Sequence, residues 1–312
     1  MKKYNFYNPD THKGYLPIRV LSHNVIDWFE NSVPEFLDEM KFEVDTNGLK
    51  AGISYHIEES PIHTVSNIDS QKTIHLYENY NQFLWALSYS ILVSFDEGIQ
   101  RPHMEKRYYG KFDFDNSLVK TAFALFHSGL SLFKGFDSDQ FFKLPNPEAY
   151  GEYDRFYIEK TNGVYIAAMV FTLIHEYSHH YYGHLEEHTK KGIKNDELDA
   201  DNYAFHILSK VFDDEKGFSF KYGIIISLIS LIFVDDTMLG DDEHPDPDDR
   251  LNIMLNKMNL DEKDSLWGIA SMSILLWADY YKKEFTIPTS FINYKELFEY
   301  VKSHLDKIKN YS

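Results

Sequence analysis

The sequence predicts a mainly α protein of the α+β class, with a small β element in its N-terminal half. Three observations support this prediction: helical periodicity through the C-terminal half, two short β-like runs before residue 80, and an aromatic content of 16% that suits a packed helical interior. The 312 residues contain no internal repeat. We expect an N-terminal lobe over residues 1–155 and a helical lobe over residues 156–312, with one continuous domain as the alternative.

The N-terminal half is predicted to mix helices and strands. Its predicted helices are His23–Lys41 with Ser22 as N-cap, Asn79–Phe95 and Ser117–Phe133. Its predicted strands are Gly52–Ile57 and Thr73–Tyr77, because both runs are short and rich in β-branched and aromatic residues. The segment 58–72 is interpreted as a connection, and the Pro- and Gly-containing segment 141–155 as an ordered loop.

The C-terminal half is predicted to be almost entirely helical. Its predicted helices are Asn162–Glu187, Asp196–Phe212, Phe220–Val234, Asp246–Met258, Asp261–Lys283 and Ser290–Ile308. The most apolar stretches fall short of the roughly 20 residues that a membrane span needs, so we interpret them as buried helices. The N-terminus lacks the apolar core of a signal peptide, and we expect a cytoplasmic protein without a membrane span.

Composition excludes several kinds of site. With 31 basic and 49 acidic residues the formal net charge is −18, which argues against a nucleic-acid-binding surface because phosphate contacts need clustered Lys and Arg. The sequence has no Cys, so disulfides and thiolate metal sites are excluded. Any metal ion would have to be bound by His and carboxylate side chains.

The most informative motif is His175-Glu176-Tyr177-Ser178-His179, at the end of a long apolar run. Residues four apart share one face of a helix, so both imidazoles can bind one zinc ion. Glu176 lies one step around the helix, where it could activate a water molecule on the metal as a general base. The alternative is an amphipathic helix whose His residues are solvated or satisfied in the core, but a buried His pair and Glu would be costly without a partner such as a metal.

A third ligand is predicted from the next helix. Glu197 and Asp201 are four residues apart near its start. Glu197 could supply a carboxylate ligand, and Asp201 could accept a hydrogen bond from the distal nitrogen of His175 and so orient that ring. The alternative is a solvated acidic helix start, since Asp and Glu favour the first turn; the His pair upstream favours the metal-binding interpretation.

Other His residues are assigned less directly. A zincin with three His ligands needs Gly three residues and His six residues after the second His, and Gly183 and His184 are each displaced by one position. His180, His184 and His188 also have helical spacing and could bind a metal weakly, but we interpret them as a polar helix face, with a structural role near the site open for His184.

Two residues after the second helix complete the candidate site. His244, in a Pro-containing turn, could donate a hydrogen bond to a developing oxyanion. Arg250 could bind a carboxylate near the metal or the substrate backbone. The alternative is a capped helix start with Asp in its first turn.

Together these motifs resemble a gluzincin metallopeptidase of the family of CAAX-prenyl proteases and bacterial membrane heat-shock proteases, over residues 163–255. That resemblance implies a zincin-like helical core in the lobe 156–312. It implies zinc ligands at His175, His179 and Glu197, a base at Glu176, and matches at Asp201, His244 and Arg250. The chain differs from those relatives because no membrane span is evident. It is also similar to the cytoplasmic phage-exclusion peptidases of the Lit type in size, solubility and preceding apolar helix.

The sequence therefore predicts a soluble zinc-dependent endopeptidase that acts on a protein or peptide substrate, with a bacterial defence or regulatory role implied by the second resemblance. Two alternatives stay open: a zinc hydrolase of a non-peptide bond, and a regulatory interaction protein with structural zinc.

Overall fold

The computed structural model describes residues 2–47, 52–57, 61–62, 65–110, 115–135, 138–185, 193–234, 237–241 and 244–311. Helices make up 63% of the structure and the strands are few, which confirms the prediction of a mainly α fold with a minor β part. The described strands are β1 (Lys3–Asn5), β2 (Gly52–His56), β3 (Asn67–Ile68), β4 (Thr73–Tyr77) and β5 (Ala149–Gly151). All of them lie in the N-terminal half of the chain, as predicted.

The described helices follow the predicted order closely. They are α1 (Ser22–Asn31), α2 (Pro34–Asn47), α3 (Glu78–Phe95), α4 (Arg101–Met104), α5 (Ser117–Ser131), α6 (Ser138–Lys143), α7 (Arg155–Tyr181), α8 (Ile193–Ser209), α9 (Gly217–Leu231), α10 (Pro247–Lys257), α11 (Ser265–Tyr280) and α12 (Tyr294–Tyr311). A 3-10 helix spans Pro17–Leu21, and a π-helical turn over Asp96–Gln100 joins α3 to α4.

The core is formed by four helices that are buried along most of their length, namely α3, α7, α9 and α11. Helix α7 packs against α9, α8, α3 and α1. At Gly223 the backbones of α9 and α7 approach closely, since a Cβ atom there would meet the Ala168 amide nitrogen at 2.5 Å. The apolar stretches predicted to be buried helices are therefore the packed centre of the molecule.

The larger sheet has three strands in the order β2-β4-β3. β2 pairs with β4 in parallel, and β3 pairs with β4 in antiparallel register, with Asn67 opposite His75 and Ile68 opposite Ile74. β3 is therefore an edge strand, and it contacts α7. β1 and β5 form a separate two-stranded antiparallel sheet.

Several predicted boundaries are wrong for local reasons. The helix predicted over His23–Lys41 is two helices, because Pro34 lacks an N–H and begins a new helix instead of continuing the old one. Ser22 lies inside α1, where its hydroxyl donates to the Arg19 carbonyl. The segment 58–72, predicted as a connection, contains β3. The segment 141–155, predicted as a loop, contains the end of α6 and all of β5.

No helix in the described part of the chain combines the length and the apolar character needed to cross a bilayer. The division into lobes at residue 155 stays a prediction, as does the cytoplasmic location. Across that proposed boundary α3 packs directly against α7.

Candidate metal centre

Two of the candidate ligands, His175 and His179, lie on α7 and face the same side. The helix runs through the core because the residues of the preceding segment, 164–174, are all buried. The Nε2 atoms of the two rings are 3.3 Å apart, and the ring centroids are 5.0 Å apart. One helix therefore directs two imidazole nitrogens to one point, as the spacing of four residues predicts.

The third candidate ligand, Glu197, comes from α8, which packs against α7. Its Oε2 lies 3.5 Å from Nε2 of His175, and its Oε1 lies 3.5 Å from Nε2 of His179. The Glu197 side chain is 15% exposed, so it is not a solvated helix-start residue. One ligand atom from each of the three residues lies within 4.8 Å of the others, and the set could hold a metal ion.

Asp201 and Arg250 lie directly behind these ligands. Asp201 Oδ1 is 3.0 Å from His175 Nδ1, although the ring N–H is not aligned on that oxygen as an ideal hydrogen bond requires. Arg250 donates to both carboxylate oxygens of Asp201, at 2.8 and 2.9 Å, and its third nitrogen lies 3.1 Å from Glu197 Oε2. Arg250 is 6% exposed. Of the two partners predicted for this guanidinium, the structure therefore shows the carboxylates near the metal site.

Charge pairing sets the protonation states of this cluster. Burial raises the pKa of Glu197, but His175 and Arg250 outweigh burial and hold that pKa well below its usual range. Burial, together with the charge of His175, lowers the pKa of His179 to about 3. Burial also lowers the pKa of His175, but Asp201 and Glu197 outweigh it and raise the pKa to about 10. Without a metal, Glu197 is thus a carboxylate, His179 a neutral imidazole and His175 an imidazolium, so a cation that binds here would displace the His175 proton.

Glu176 follows His175 on α7 and is 8% exposed. The backbone N–H of Ile68 in β3 faces its carboxyl group and favours the charged form. Burial raises the pKa of Glu176 to about 7, and Glu197 adds to that effect, while His175 and the Ile68 N–H oppose it. The edge strand therefore presents a main-chain donor to the carboxyl group that the sequence assigns as the base.

A cavity of about 310 Å³ opens onto the three ligand side chains and Glu176. One wall is the segment Val65–Asn67, at the edge strand β3. Phe171 of α7 and Leu228 and Leu231 of α9 provide apolar wall area. The site thus combines a polar cluster, an apolar recess and a strand edge in one concave pocket, as ligand sites commonly do.

His244 lies at the rim of this cavity instead of inside it. Its side chain is 54% exposed. Its backbone N–H donates to Asp241 Oδ1 at 2.7 Å, and its Nδ1 lies 3.0 Å from the same oxygen. Five of the seven candidate residues therefore lie in one largely buried cluster at the candidate metal position: His175, His179, Glu197, Asp201 and Arg250. Glu176 lies beside this cluster, and His244 lies at the cavity entrance.

Two features near the site were missed or misassigned from the sequence. β3 is only two residues long and has no periodic pattern to reveal it. The interpretation of His184 as part of a polar helix face is wrong, because α7 ends at Tyr181 and His184 turns back so that its Nδ1 lies 3.1 Å from Nδ1 of His179. Gly183, just beyond the helix end, was the available signal. His188 lies outside the described residues.

Comparison with known proteins identifies the family. The model of the peptidase U49 family matches residues 74–270, which is more than half of the chain and includes every candidate site residue. A search of curated proteins and a search of solved structures found no match. The predicted resemblance to CAAX-prenyl proteases is not shown by this match, whereas a Lit-type peptidase family is. A family match over this length, centred on a buried cluster of His and carboxylate side chains, shows that the chain belongs to the peptidase U49 family.

Proposed function

We propose that this peptidase is a zinc-dependent endopeptidase in which His175, His179 and Glu197 bind the metal and Glu176 is the general base. The observation that carries the proposal is that three donor groups from two helices meet in one cavity, beside the buried carboxyl group of Glu176. Membership of a peptidase family supplies the substrate class, a protein or peptide.

The donor set suits zinc. Hydrolytic zinc sites commonly use three protein ligands drawn from His and Glu, and leave a fourth position open. Two ligands held at about 2.0–2.1 Å by one tetrahedral ion lie about 3.3 Å apart. The corresponding separations here are 3.3 Å between the two His nitrogens, 3.5 Å from His175 Nε2 to Glu197 Oε2, and 3.5 Å from His179 Nε2 to the other oxygen, Oε1. The side chains already have nearly the spacing that such an ion requires.

The chemistry follows from the positions of the side chains. Bound zinc would supply Lewis acidity, which acidifies a water molecule and polarises the scissile carbonyl. Glu176 would accept a proton from that water and deliver it to the leaving amine. The Ile68 N–H favours the charged form of Glu176, the form that accepts the proton. Asp201 would keep His175 oriented with its Nε2 toward the metal.

The edge strand offers a place for an extended substrate. β3 pairs with β4 on one side only, and the segment 65–67 lines the cavity. An extended peptide could therefore add main-chain hydrogen bonds along this segment, and its side chain beside the scissile bond could enter the apolar recess. His244, oriented by Asp241 at the cavity rim, would be the donor nearest the solvent side of the site. Arg250 has its polar contacts with Asp201 and Glu197, so we assign it to positioning and not to the substrate.

The test compares wild type with Glu176→Gln in two measurements. Zinc content after purification in zinc-containing buffer should be close to one ion per chain in both proteins, because Glu176 is not a ligand. Terminal-peptide profiling of a cell lysate should reveal cleavage by wild type and a loss of at least about 100-fold with Glu176→Gln, the usual contribution of a general base. Glu159→Gln is the matched control, since Glu159 lies on the same helix but is 47% exposed and pairs with Arg155.

The outcomes separate the alternatives. Zinc binding with cleavage that survives Glu176→Gln would contradict the assigned base. Zinc binding with no cleavage of any protein, together with unfolding on chelation, would favour a structural metal. A single cleaved protein would support a dedicated defence or regulatory peptidase, whereas many cleaved proteins would indicate general protein turnover.

A further inference from the structure

The C-terminal end of α7 has a backbone geometry that places His184 on His179. The Gly183 N–H donates to the His180 carbonyl at 3.0 Å, and the His184 N–H donates to the His179 carbonyl at 2.9 Å. Gly183 has φ +73°, the left-handed conformation that glycine adopts readily. These two bonds define a Schellman motif, in which the second residue after the C-cap Tyr182 packs on the residue three positions before that C-cap. Those two residues here are His184 and His179.

The contact between the two rings is specific for one nitrogen on each. Nδ1 of His179 lies 3.1 Å from Nδ1 of His184, and the ring centroids are 5.2 Å apart. Nε2 of His179 faces His175 and Glu197. His184 therefore lies on the side of the His179 ring opposite the ligand point, which excludes it as a fourth ligand in this arrangement.

The chain of contacts continues to α8. Nε2 of His184 lies 3.5 Å from Oδ1 of Asp196, the residue before the ligand Glu197. The side chains are 10% and 20% exposed, so both are largely shielded from water. The segment after α7 and the start of α8 are thereby linked through a carboxylate and an imidazole to the back of a ligand ring.

We propose that His184 is a positioning residue that holds His179 in the tautomer and orientation needed for metal binding, with Asp196 orienting His184 in turn. This inference rests on the proposed metal centre. A ring that offers the Nε2 lone pair to a metal carries its proton on Nδ1, and that N–H must donate. His184 Nδ1 is then the acceptor, so the His184 proton is on Nε2, which faces Asp196. Each of the two imidazoles thus has a polar group at its Nδ1: Asp201 for His175, and His184 for His179.

A packing role for His184 would make a different prediction. Tyr182 stacks on His184 with ring centroids 5.5 Å apart, so the imidazole also fills space. If space alone mattered, an isosteric apolar side chain would replace it. If the acceptor at Nδ1 matters, Asn should replace it better than Leu, because the Asn carbonyl oxygen occupies about the place of Nδ1.

The experiment measures zinc affinity by competition with a chromophoric chelator. We expect His184→Ala and His184→Leu to weaken zinc binding about 10–100-fold, the usual effect of losing a group that orients a ligand. His184→Asn should recover most of the wild-type affinity. His206→Ala, on the exposed face of α8, is the matched control and should bind zinc like wild type. Circular dichroism of the zinc-free variants checks that each one is folded.

A second readout reports the tautomer directly. In ¹⁵N-edited spectra of the zinc-loaded protein, His184 should carry its proton on Nε2 in wild type. A proton on Nδ1 of His184 would overturn the inference, as would wild-type zinc affinity in folded His184→Ala, or equal losses in His184→Asn and His184→Leu. If wild type binds zinc no better than His175→Ala, the metal centre itself fails and this inference fails with it. Tight binding by wild type with no effect at His184 would refute only the positioning role.

Discussion

Replacing Arg250 should lower the free energy of unfolding of the zinc-free protein strongly, although the substitution changes few atoms. Its guanidinium makes two hydrogen bonds to Asp201 and an ion pair with Glu197 while 6% exposed. Arg250→Met keeps a similar length but leaves two largely buried carboxylates with the His175 ring as their remaining counter-charge. Removing one partner of a buried ion pair typically costs about 3–5 kcal/mol, because the remaining charge stays buried and uncompensated. We expect the zinc-free variant to lose stability in that range.

The assay is urea denaturation of zinc-free protein, followed by circular dichroism. Arg107→Met is the matched control: Arg107 is 54% exposed and pairs with exposed Glu105, and such surface pairs contribute at most about 1 kcal/mol. The double variant Arg250→Met with Asp201→Asn removes one of the stranded charges. It should therefore be less destabilised than the sum of the two single variants.

Zinc provides a further check on the same electrostatics. A bound divalent cation would compensate Glu197, so zinc should restore part of the stability lost in Arg250→Met. A single variant within about 1 kcal/mol of wild type would refute the reasoning, because it would mean that Asp201 and Glu197 do not need Arg250 as counter-charge. Strict additivity in the double variant would refute the claimed coupling between Arg250 and Asp201.

Three further predictions address the metal, the edge strand β3 and the core. Chelation should lower the Tm of wild type by several degrees and leave that of His175→Ala unchanged, since only a bound ion stabilises the folded state; equal shifts would contradict a specific site. Ile68→Pro should slow cleavage about tenfold without loss of zinc, because it removes the N–H that favours the charged form of Glu176; unchanged cleavage would contradict that interaction. Gly223→Ala should destabilise by about 1–3 kcal/mol through the clash of its Cβ with α7, whereas Gly135→Ala, with open space around its Cα, should not.

Local patterns account for what could be predicted. The apolar run before His175 and the spacing of four residues to His179 are properties of one helix, and helical geometry alone places both rings on one face. The predicted strand Thr73–Tyr77 coincides with β4, because a β-branched run of this length reveals itself without its neighbours. The mistakes at Pro34 and beyond Tyr181 are also local, and attention to Pro and Gly would have corrected them.

Contacts between distant segments could not be read from any one pattern. The pairing of Arg250 with Asp201 joins residues 49 positions apart, and the sequence left its partner open between a carboxylate and the substrate. β3 exists because β4 lies beside it, and it is the packing of that sheet on α7 that brings the Ile68 N–H to Glu176.

The amino-acid sequence by itself determined the helices, the donor types and the face on which two donors lie, since each depends on residues within a few turns of one another. Asp201 behind His175 was predicted from the sequence as well, whereas tertiary structure alone decided that Arg250 pairs with Asp201 and that β3 lies beside Glu176. The physical reason is the separation along the chain between the residues that interact. Helical periodicity is set by neighbours along the chain, whereas the direction of a buried imidazole is set by whichever charged or polar group packing brings to its far nitrogen.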